Sequence, residues 1–555
     1  MSAELSRHFI DVGARRVHYT RAGSGPALVL LHESPCSAKS LETVQRVFSE
    51  RFTVIAPDTP GFGLSDPLPL KQPEIADFAD ALAETLAAIG VGKAAVYGRH
   101  TGASIAVEYA RRHPDRCAMA VADGYPVYSG PQQESRLTDY LLPLEPRWDG
   151  GHLLWLWFRY RDQHTFWPWH NQAGSNRAGC DVPDLDFLQR GVMEFLEAGD
   201  GYRIAYAAAF RHGGKALALL PELRVPTCFV ARPSDSLFRA LSVLPQTEWV
   251  ETLSRDEVTA ARETMELLLR HPAPVPPPAP PTNPAAARST LRMVGPLLLR
   301  SAGEDRGGVP LLLLHDLPGS SALLDPLVVA LGQHRPTLAF DLLGQGESEA
   351  PANGRIDVAA WAHSLIAALD RLGIAQVHVY GHGGGGVVAT ELALAAPDRV
   401  ASLLLGAPPA LPAEEREAFA AGYAPSADPV WEGAHLLRVW HHLRDQELWW
   451  PWYERTVASA RPGTLDIDPA TLTLRARECL RHPTLYQPVW QAVLAYPLRE
   501  KLDLLRGRAV VLAAERDLFA RFAADAAAAV GSDVVPVEPG WQARATAILQ
   551  RTAEV

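Results

Sequence analysis

"AAVYGRHTGASIAVEYA", running from Ala94 to Ala110, decides how the rest of the chain is read. Its first five residues make an apolar run of strand length. Its last ten are mostly small and apolar, the composition of a helix that lies close against a sheet. Between them, "GRHTG" is a turn with a glycine at each end, and glycine permits both the tight turn and the close helix approach. The side chain at the apex of that turn is His100.

Strand-like runs and helical patterns alternate on either side of this stretch. "ALVLLH" (Ala27–His32), "FTVIAP" (Phe52–Pro57), "AAVYG" (Ala94–Gly98) and "CAMAVAD" (Cys117–Asp123) are continuous apolar runs, as expected of strands buried on both faces. "EIADFADALAETLAAIG" between them is helical, with Gly90 as its C-terminal stop. Such alternation predicts a mostly parallel, doubly wound α/β sheet. From about residue 127 to 219 it gives way to a tryptophan-rich helical insertion, and strand character returns at "PTCFVAR" (Pro226–Arg232).

The same text is then written a second time. "LLHESP", ending at Pro35, pairs with "LLHDLP", ending at Pro318. "HLLWLWFRYRDQHTFWPW" from His152 pairs with "HLLRVWHHLRDQELWWPW" from His435. His32 and His315, Asp58 and Asp341, His100 and Gly383, and His152 and His435 are each 283 residues apart. A constant offset over such a length means duplication. "HPAPVPPPAPPTNPAAARS" (His271–Ser289) lies between the copies, too proline-dense for a sheet or helix interior. The expected organisation is a first domain at 1–271 with a cap at about 127–219, a linker at 272–289, and a second domain at 290–555 with a cap at about 410–502.

At 555 residues with a formal charge of −11, the chain has room for two cores and is a poor partner for nucleic acid or anionic membrane. No apolar run is long enough to span a bilayer, and "MSAELSRHFIDVG" lacks the pattern of a secretory signal. Five cysteines without CxxC spacing suggest reduced thiols and a cytoplasmic location.

With an H-x-x-P loop after the third strand, D-x-x-G-x-G-x-S after the next, a G-x-x-x-G elbow and a cap after the sixth strand, each half resembles an α/β-hydrolase. It is most similar to the capped haloalkane dehalogenase and epoxide hydrolase group. The resemblance implies two tandem domains of that fold, with His100 at the nucleophile position and Thr101 supplying one oxyanion-hole N–H. Ser34 matches the second oxyanion position. In the second copy the elbow is "GHGGG", and Gly383 has no side chain to react.

The family's catalytic histidine is missing from both copies, since neither "WVETLSRDEVTAARE" nor "VVPVEPGWQARA" contains one. The acids that follow the seventh strand, Asp235 and Asp517, therefore read as loop carboxylates. Asp123, at an alternative acid position, has Gly406 as its counterpart in the second copy. Glu33 and Asp316 stand where the family's oxyanion loop has glycine, and a carboxylate there opposes the charge such a hole stabilises. The residues thus point to His100 as a general base, oriented by Asp123 or Glu33, with Ser34 and Thr101 as oxyanion donors.

The expected activity is hydrolysis of a small apolar carbonyl compound (ester, lactone or amide) by the first domain alone, the second being a structural pseudoenzyme without a Ser-His-Asp triad. A lyase, hydratase or decarboxylase using the same histidine, or a non-catalytic small-molecule binding protein, are the alternatives. Trp155 and Trp167 are candidate pocket residues for an apolar ligand, although the repeated "RDQ" and "WPW" elements also suit packing, including packing of the two caps as an intramolecular pseudo-dimer. His32, His315, Asp58 and Asp341 read as structural. No metal-ligand cluster and no dinucleotide fingerprint occurs, so no metal and no cofactor is expected.

Overall fold

The computed structural model describes residues 5–245, 249–281, 289–304 and 306–553. The chain divides into two compact units, Met1–Glu145 with Trp155–Asn283, and Pro146–Leu154 with Pro284–Val555. Residues 282–288 of the proline-rich linker lie outside the described residues.

The first unit is built on eight strands: β1 (Ser6–Val12), β2 (Arg15–Ala22), β3 (Ala27–Leu31), β4 (Thr53–Pro57), β5 (Ala94–Arg99), β6 (Cys117–Asp123), β7 (Thr227–Ala231) and β8 (Val250–Thr252). They lie in the order β1-β2-β4-β3-β5-β6-β7-β8. Pairing is antiparallel across β1, β2 and β4 and parallel from β4 onward. Strands β3, β4, β5 and β7 are buried at every residue, which is why they read as unbroken apolar runs. The strands β1 and β8 are half-exposed and β2 buries Arg16, His18 and Thr20 among its apolar residues, so none of the three gives such a signal.

The second unit repeats the plan with β9 (Thr290–Val294), β10 (Leu297–Ala302), β11 (Leu311–Leu314), β12 (Thr337–Phe340), β13 (Val377–His382), β14 (Val400–Gly406), β15 (Ala509–Ala513) and β16 (Val534–Pro536). Their order, β9-β10-β12-β11-β13-β14-β15-β16, is the same permutation. Two tandem, mostly parallel α/β sheets are therefore present, as the duplicated sequence predicts.

Local signals hold where the physics is local. The helix Ile75–Ala88 begins at a capping box between Glu74 and Asp77, and the chain turns out of it at Gly90 with φ +78°. Between β6 and β7 the chain is helical, with Gly151–Gln163, Leu185–Ala198 and Tyr202–Gly213 as the longer helices. His32 Nδ1 lies 2.9 Å from the Glu33 carbonyl, and its Nε2 accepts from the Thr59 N–H at 2.9 Å. Asp58 accepts from the N–H groups of Ala38 and Leu64 and lies 2.8 Å from His18 Nδ1. Both are struts of the loops above the strand ends. Among the described residues no helix is long and apolar enough to cross a membrane.

Candidate active site

Strand β5 runs straight into the helix Thr101–Arg112 through His100, which is forced to φ 50° and ψ −106°. For a residue with a Cβ this backbone costs on the order of 1–3 kcal/mol. The positive φ lifts the imidazole off the sheet edge and into a cavity of about 610 Å³. Glu33, Ser34, Thr101, Trp167 and Asp235 share its lining, with Tyr128, Tyr160, Phe187 and Phe210 as aromatic wall.

The ring is held by Asp235, from the loop after β7. His100 Nε2 lies 2.8 Å from Oδ2 and 3.0 Å from Oδ1. Asp235 Oδ1 also accepts from the Leu237 N–H at 2.7 Å, which fixes the carboxylate. Burial disfavours charge on both groups, but their mutual attraction outweighs it. The imidazole pKa is raised, with Glu33 and Asp123 adding to the effect, and the Asp235 carboxyl is held below the usual carboxylate range. His100 Nδ1, the other ring nitrogen, makes no hydrogen bond among the described residues.

This corrects the expected orienter. The carboxylate paired with His100 is neither Asp123 nor Glu33 but Asp235, whose place in the sequence suggests only a loop carboxylate. Asp123 serves the scaffold. It accepts from the Tyr97 hydroxyl at 2.6 Å and lies 3.6 Å from Arg99 Nε, and its backbone carbonyl receives the His100 N–H at 2.9 Å. Burial raises its pKa, and Arg99 offsets only part of that. Glu33 lines the cavity without bonding His100, and its Oε2 has no hydrogen-bond partner among the described residues.

Space for the imidazole comes from Gly124, at φ +66°. A Cβ there would stand 2.5 Å from His100 Cδ2 and 2.9 Å from Nε2. Its counterpart in the second unit is Ala407, which adopts φ 44° even though it has a side chain. The residue at the apex of that unit's elbow is Gly383, which has no side chain.

Ser34 and Thr101 both line the cavity, as expected. The Thr101 N–H heads its helix and has no partner within it. The second unit shows where these two N–H groups aim. There Asp316 Oδ1 accepts from Leu317 N–H at 2.8 Å and from Gly384 N–H at 2.7 Å, and these are the counterparts of Ser34 and Thr101. A Cβ on Gly383 would collide with that same oxygen at 2.3 Å. Two backbone donors therefore converge on one point beside the elbow, and in the second unit a carboxylate of the same chain occupies it.

The acid position of the second unit is also spent. Asp517 Oδ1 accepts from Arg544 Nη2 at 2.8 Å, and Arg544 Nη1 donates to the Tyr380 hydroxyl at 2.9 Å. In the first unit Glu257, at the start of the helix Glu257–Leu268, accepts from Arg99 at 3.0 Å.

The tryptophans divide. Trp167 lines the cavity, edge-on to Tyr140 at 5.6 Å between ring centroids. Its counterpart Trp450 is buried among Phe419, Tyr423, Phe519 and Phe522. Trp155 is outside the lining and stands edge-on to Trp169 at 6.3 Å. Tyr160, Gln163 and His164 define the cavity-facing side of its helix, and a residue five positions before Tyr160 points well away from that side.

The family described as alpha/beta hydrolase fold matches residues 26–149 and 309–427, once in each unit. The chain is 36% identical over 115 residues to a soluble epoxide hydrolase of Corynebacterium sp. (strain C12), which covers 21% of this chain and 40% of that protein. It is 37% identical over 132 residues to a 2-hydroxymuconate semialdehyde hydrolase of Pseudomonas putida, covering 23% of this chain and 45% of the relative. The chain thus spans less than half the length of these curated relatives. Among solved structures, epoxide hydrolase A from Mycobacterium thermoresistibile aligns at 18% identity and a TM-score of 0.37, over 48% of this chain and 97% of that one.

Proposed function

The chain belongs to the α/β-hydrolase superfamily and carries its fold twice, and from that premise we propose that its first unit hydrolyses a small, largely apolar carbonyl compound (an ester, lactone or amide) with His100 as general base. The observation that carries this reading is the pairing of His100 with Asp235 at 2.8 Å beside a two-donor hole. The hole's twin grips a carboxylate oxygen.

Asp235 holds Nε2, which leaves Nδ1 to take a proton from water. The hydroxide so formed adds to the carbonyl carbon, and the carbonyl oxygen becomes an oxyanion that accepts from the N–H groups of Ser34 and Thr101. Collapse of the tetrahedral species breaks the bond to the alkoxide or amine, which recovers the proton from His100 Nδ1. Water is consumed, an acid and an alcohol or amine are released, and no covalent enzyme intermediate is needed. The aromatic wall suits an apolar acyl or alkyl portion. In this reading the second unit contributes no chemistry, because the apex of its elbow is Gly383, its hole holds Asp316, and the neighbouring His382 Nε2 stands 4.0 Å from an Asp517 that Arg544 already binds.

The test is turnover of p-nitrophenyl esters and simple lactones by the wild-type chain and by His100→Ala. A general base is worth about 10²- to 10⁴-fold in rate, and the variant is expected to lose that much. Turnover unaffected by the substitution removes His100 from the mechanism. The same base and hole also suit removal of a proton next to a carbonyl, since the apex of the elbow carries no serine, cysteine or carboxylate. Solvent deuterium entering a ketone without hydrolysis identifies that reaction instead.

A further inference from the structure

The "RDQ" stretch of the first unit ends at Gln163, the last residue of the helix Gly151–Gln163, which lines the cavity. Gln163 Oε1 accepts from Arg159 Nη1 at 2.7 Å and from the Tyr140 hydroxyl at 3.4 Å. A guanidinium only donates, so the amide must meet it with its oxygen, and the nitrogen turns the other way. Gln163 is half-buried, and its Nε2 is not sealed in the interior and has no hydrogen-bond partner among the described residues. The cavity is thus offered a fixed amide donor.

Behind that donor stands a cation. Arg159 is 1% exposed and makes no other hydrogen bond and no ion pair among the described residues. It lies over the rings of Tyr140, Trp169 and Phe195. Arg136 stacks on Tyr128 and Trp167 of the cavity wall, likewise without an ion pair among the described residues. Buried cations without counter-ions are costly. The Arg159 charge reaches the lining: burial raises the Tyr206 pKa and lowers that of His164 to about 4, Glu33 opposes the second shift, and Arg159 pulls both values down. Leaving out His100, the charges on the lining itself cancel, since Glu33, Asp181, Asp235 and Glu257 are matched by as many arginines. Arg161 and Asp162 of the motif pair with each other at 3.6 Å. The guanidiniums behind the wall are the charge left over.

The second unit closes the same cluster. Tyr423, His442 and Gln446 stand 283 residues after Tyr140, Arg159 and Gln163. Burial, with Arg475, pushes the His442 pKa down to about 3, so its ring is neutral. Gln446 Nε2 lies 3.0 Å from His442 Nε2 and donates to the Tyr423 hydroxyl at 3.1 Å. Its amide is turned end for end, and its donor is consumed.

Gln163 comes from the inserted helices and the oxyanion donors from the ends of the sheet, so the two serve different ends of a ligand. Resting on the hydrolytic reading above, we propose that the substrate carries a carboxylate away from its scissile carbonyl, and that Gln163 Nε2 donates to it with the Arg159 charge behind the amide. Gln163 is then a specificity-determining residue, and Arg159 is the positioning residue that fixes which end of the amide meets the ligand.

The experiment compares monoethyl adipate with the ethyl ester of adipic acid monoamide, its neutral counterpart, with acid release followed by titration. Matching pairs built on succinate, glutarate and suberate set the span. A hydrogen bond to a charged group is worth about 10- to 100-fold, so at the best length kcat/KM should favour the acid ester over the amide by about that factor. Gln163→Leu and Arg159→His, the second copying the exchange found in the second unit, should each bring the preference below about threefold. Should Arg159→His fail to fold, Gln163→Leu decides alone. Equal rates on acid and amide at every length overturn the proposal. So does a preference that survives Gln163→Leu, which would assign the carboxylate to Arg177 and Arg239, exposed on the same lining. A preference lost in Gln163→Leu but kept in Arg159→His overturns the part given to Arg159. Calorimetric binding of the same esters to His100→Ala, with and without Gln163→Leu, separates this proposal from the hydrolytic one. Gln163-dependent selectivity for the acid ester without wild-type turnover sustains the first and removes the second, and turnover without selectivity does the reverse.

Discussion

Place the two elbows side by side and they differ by a few atoms with large consequences. In the first unit the turn carries an imidazole, Gly124 makes room for it, and Asp235 receives it. In the second the apex imidazole is gone, Ala407 stands at the position of Gly124, Asp316 enters the hole and Arg544 claims Asp517. One backbone plan therefore supports an open polar constellation or a self-satisfied one. The choice lies in whether the donors of the turn are left for a ligand or consumed by the chain.

The sharpest way to break the comparison is Asp235→Asn. Asp235 raises the His100 pKa, and the base works only when neutral, so the wild-type rate should climb with pH through that raised value. Removing the carboxylate should move the climb to lower pH and cut kcat about 10- to 1000-fold, because the ring loses its orienter. A pH–rate profile checks both. An unmoved profile would show that the pair does not govern the reaction.

A second contrast lies in the helices inserted after β6 and β14. Glu194, on Leu185–Ala198, accepts from the Ser37 N–H at 2.5 Å, and burial raises its pKa to about 7. Glu478 accepts from the Ser320 hydroxyl at 2.7 Å and is held at about 2 by Arg481 and Arg477, which outweigh its burial. A carboxyl whose folded value is raised stabilises fully only below its unfolded value, and that contribution is lost as pH rises through about 7. Glu194→Gln should therefore remove a loss of order 2 kcal/mol between pH 5 and 8. Glu478→Gln should destabilise by about 3 kcal/mol at neutral pH by stranding its arginines. Denaturant titrations at the two pH values measure both.

Smaller effects of opposite sign are expected at the paired positions Gly124 and Ala407. Gly124→Ala should lower turnover and cost about 1–2 kcal/mol, through the clash with His100 and the positive φ. Ala407→Gly should be neutral or stabilise by up to about 1 kcal/mol. Thermal melts with matched activity assays decide. Smallest of all is Gly383→Ser, which should yield no esterase, because its Cβ meets Asp316 at 2.3 Å. Measurable gained turnover would contradict the picture of a filled hole.

What could be read from the sequence follows the range of the interactions involved. The central strands, the elbow and its helix were legible because buried strands and tight turns write themselves into contiguous residues. The edge strands β1 and β8 were not, since half-exposed strands mix polar and apolar residues without a clear period, nor was β2, which buries Arg16, His18 and Thr20 between its neighbours. His100 was legible as a cavity residue, but its partner was not, because Asp235 lies 135 residues away. By resemblance that acid partners a histidine after the last strand, and no histidine stands there in either copy. The signal was present in the retained acid position itself. Asp316 in the hole was beyond reach, since only the empty space left by Gly383 explains where its carboxylate turns.

The carboxylate seated in the second hole has a consequence for how the protein should melt. A compound that mimics the tetrahedral oxyanion finds one free berth per chain, so titration should saturate at one equivalent. Heating the saturated protein should delay the transition of the first unit, by RT ln(1 + [L]/Kd) in free energy, while any separate transition of its twin stays where it was.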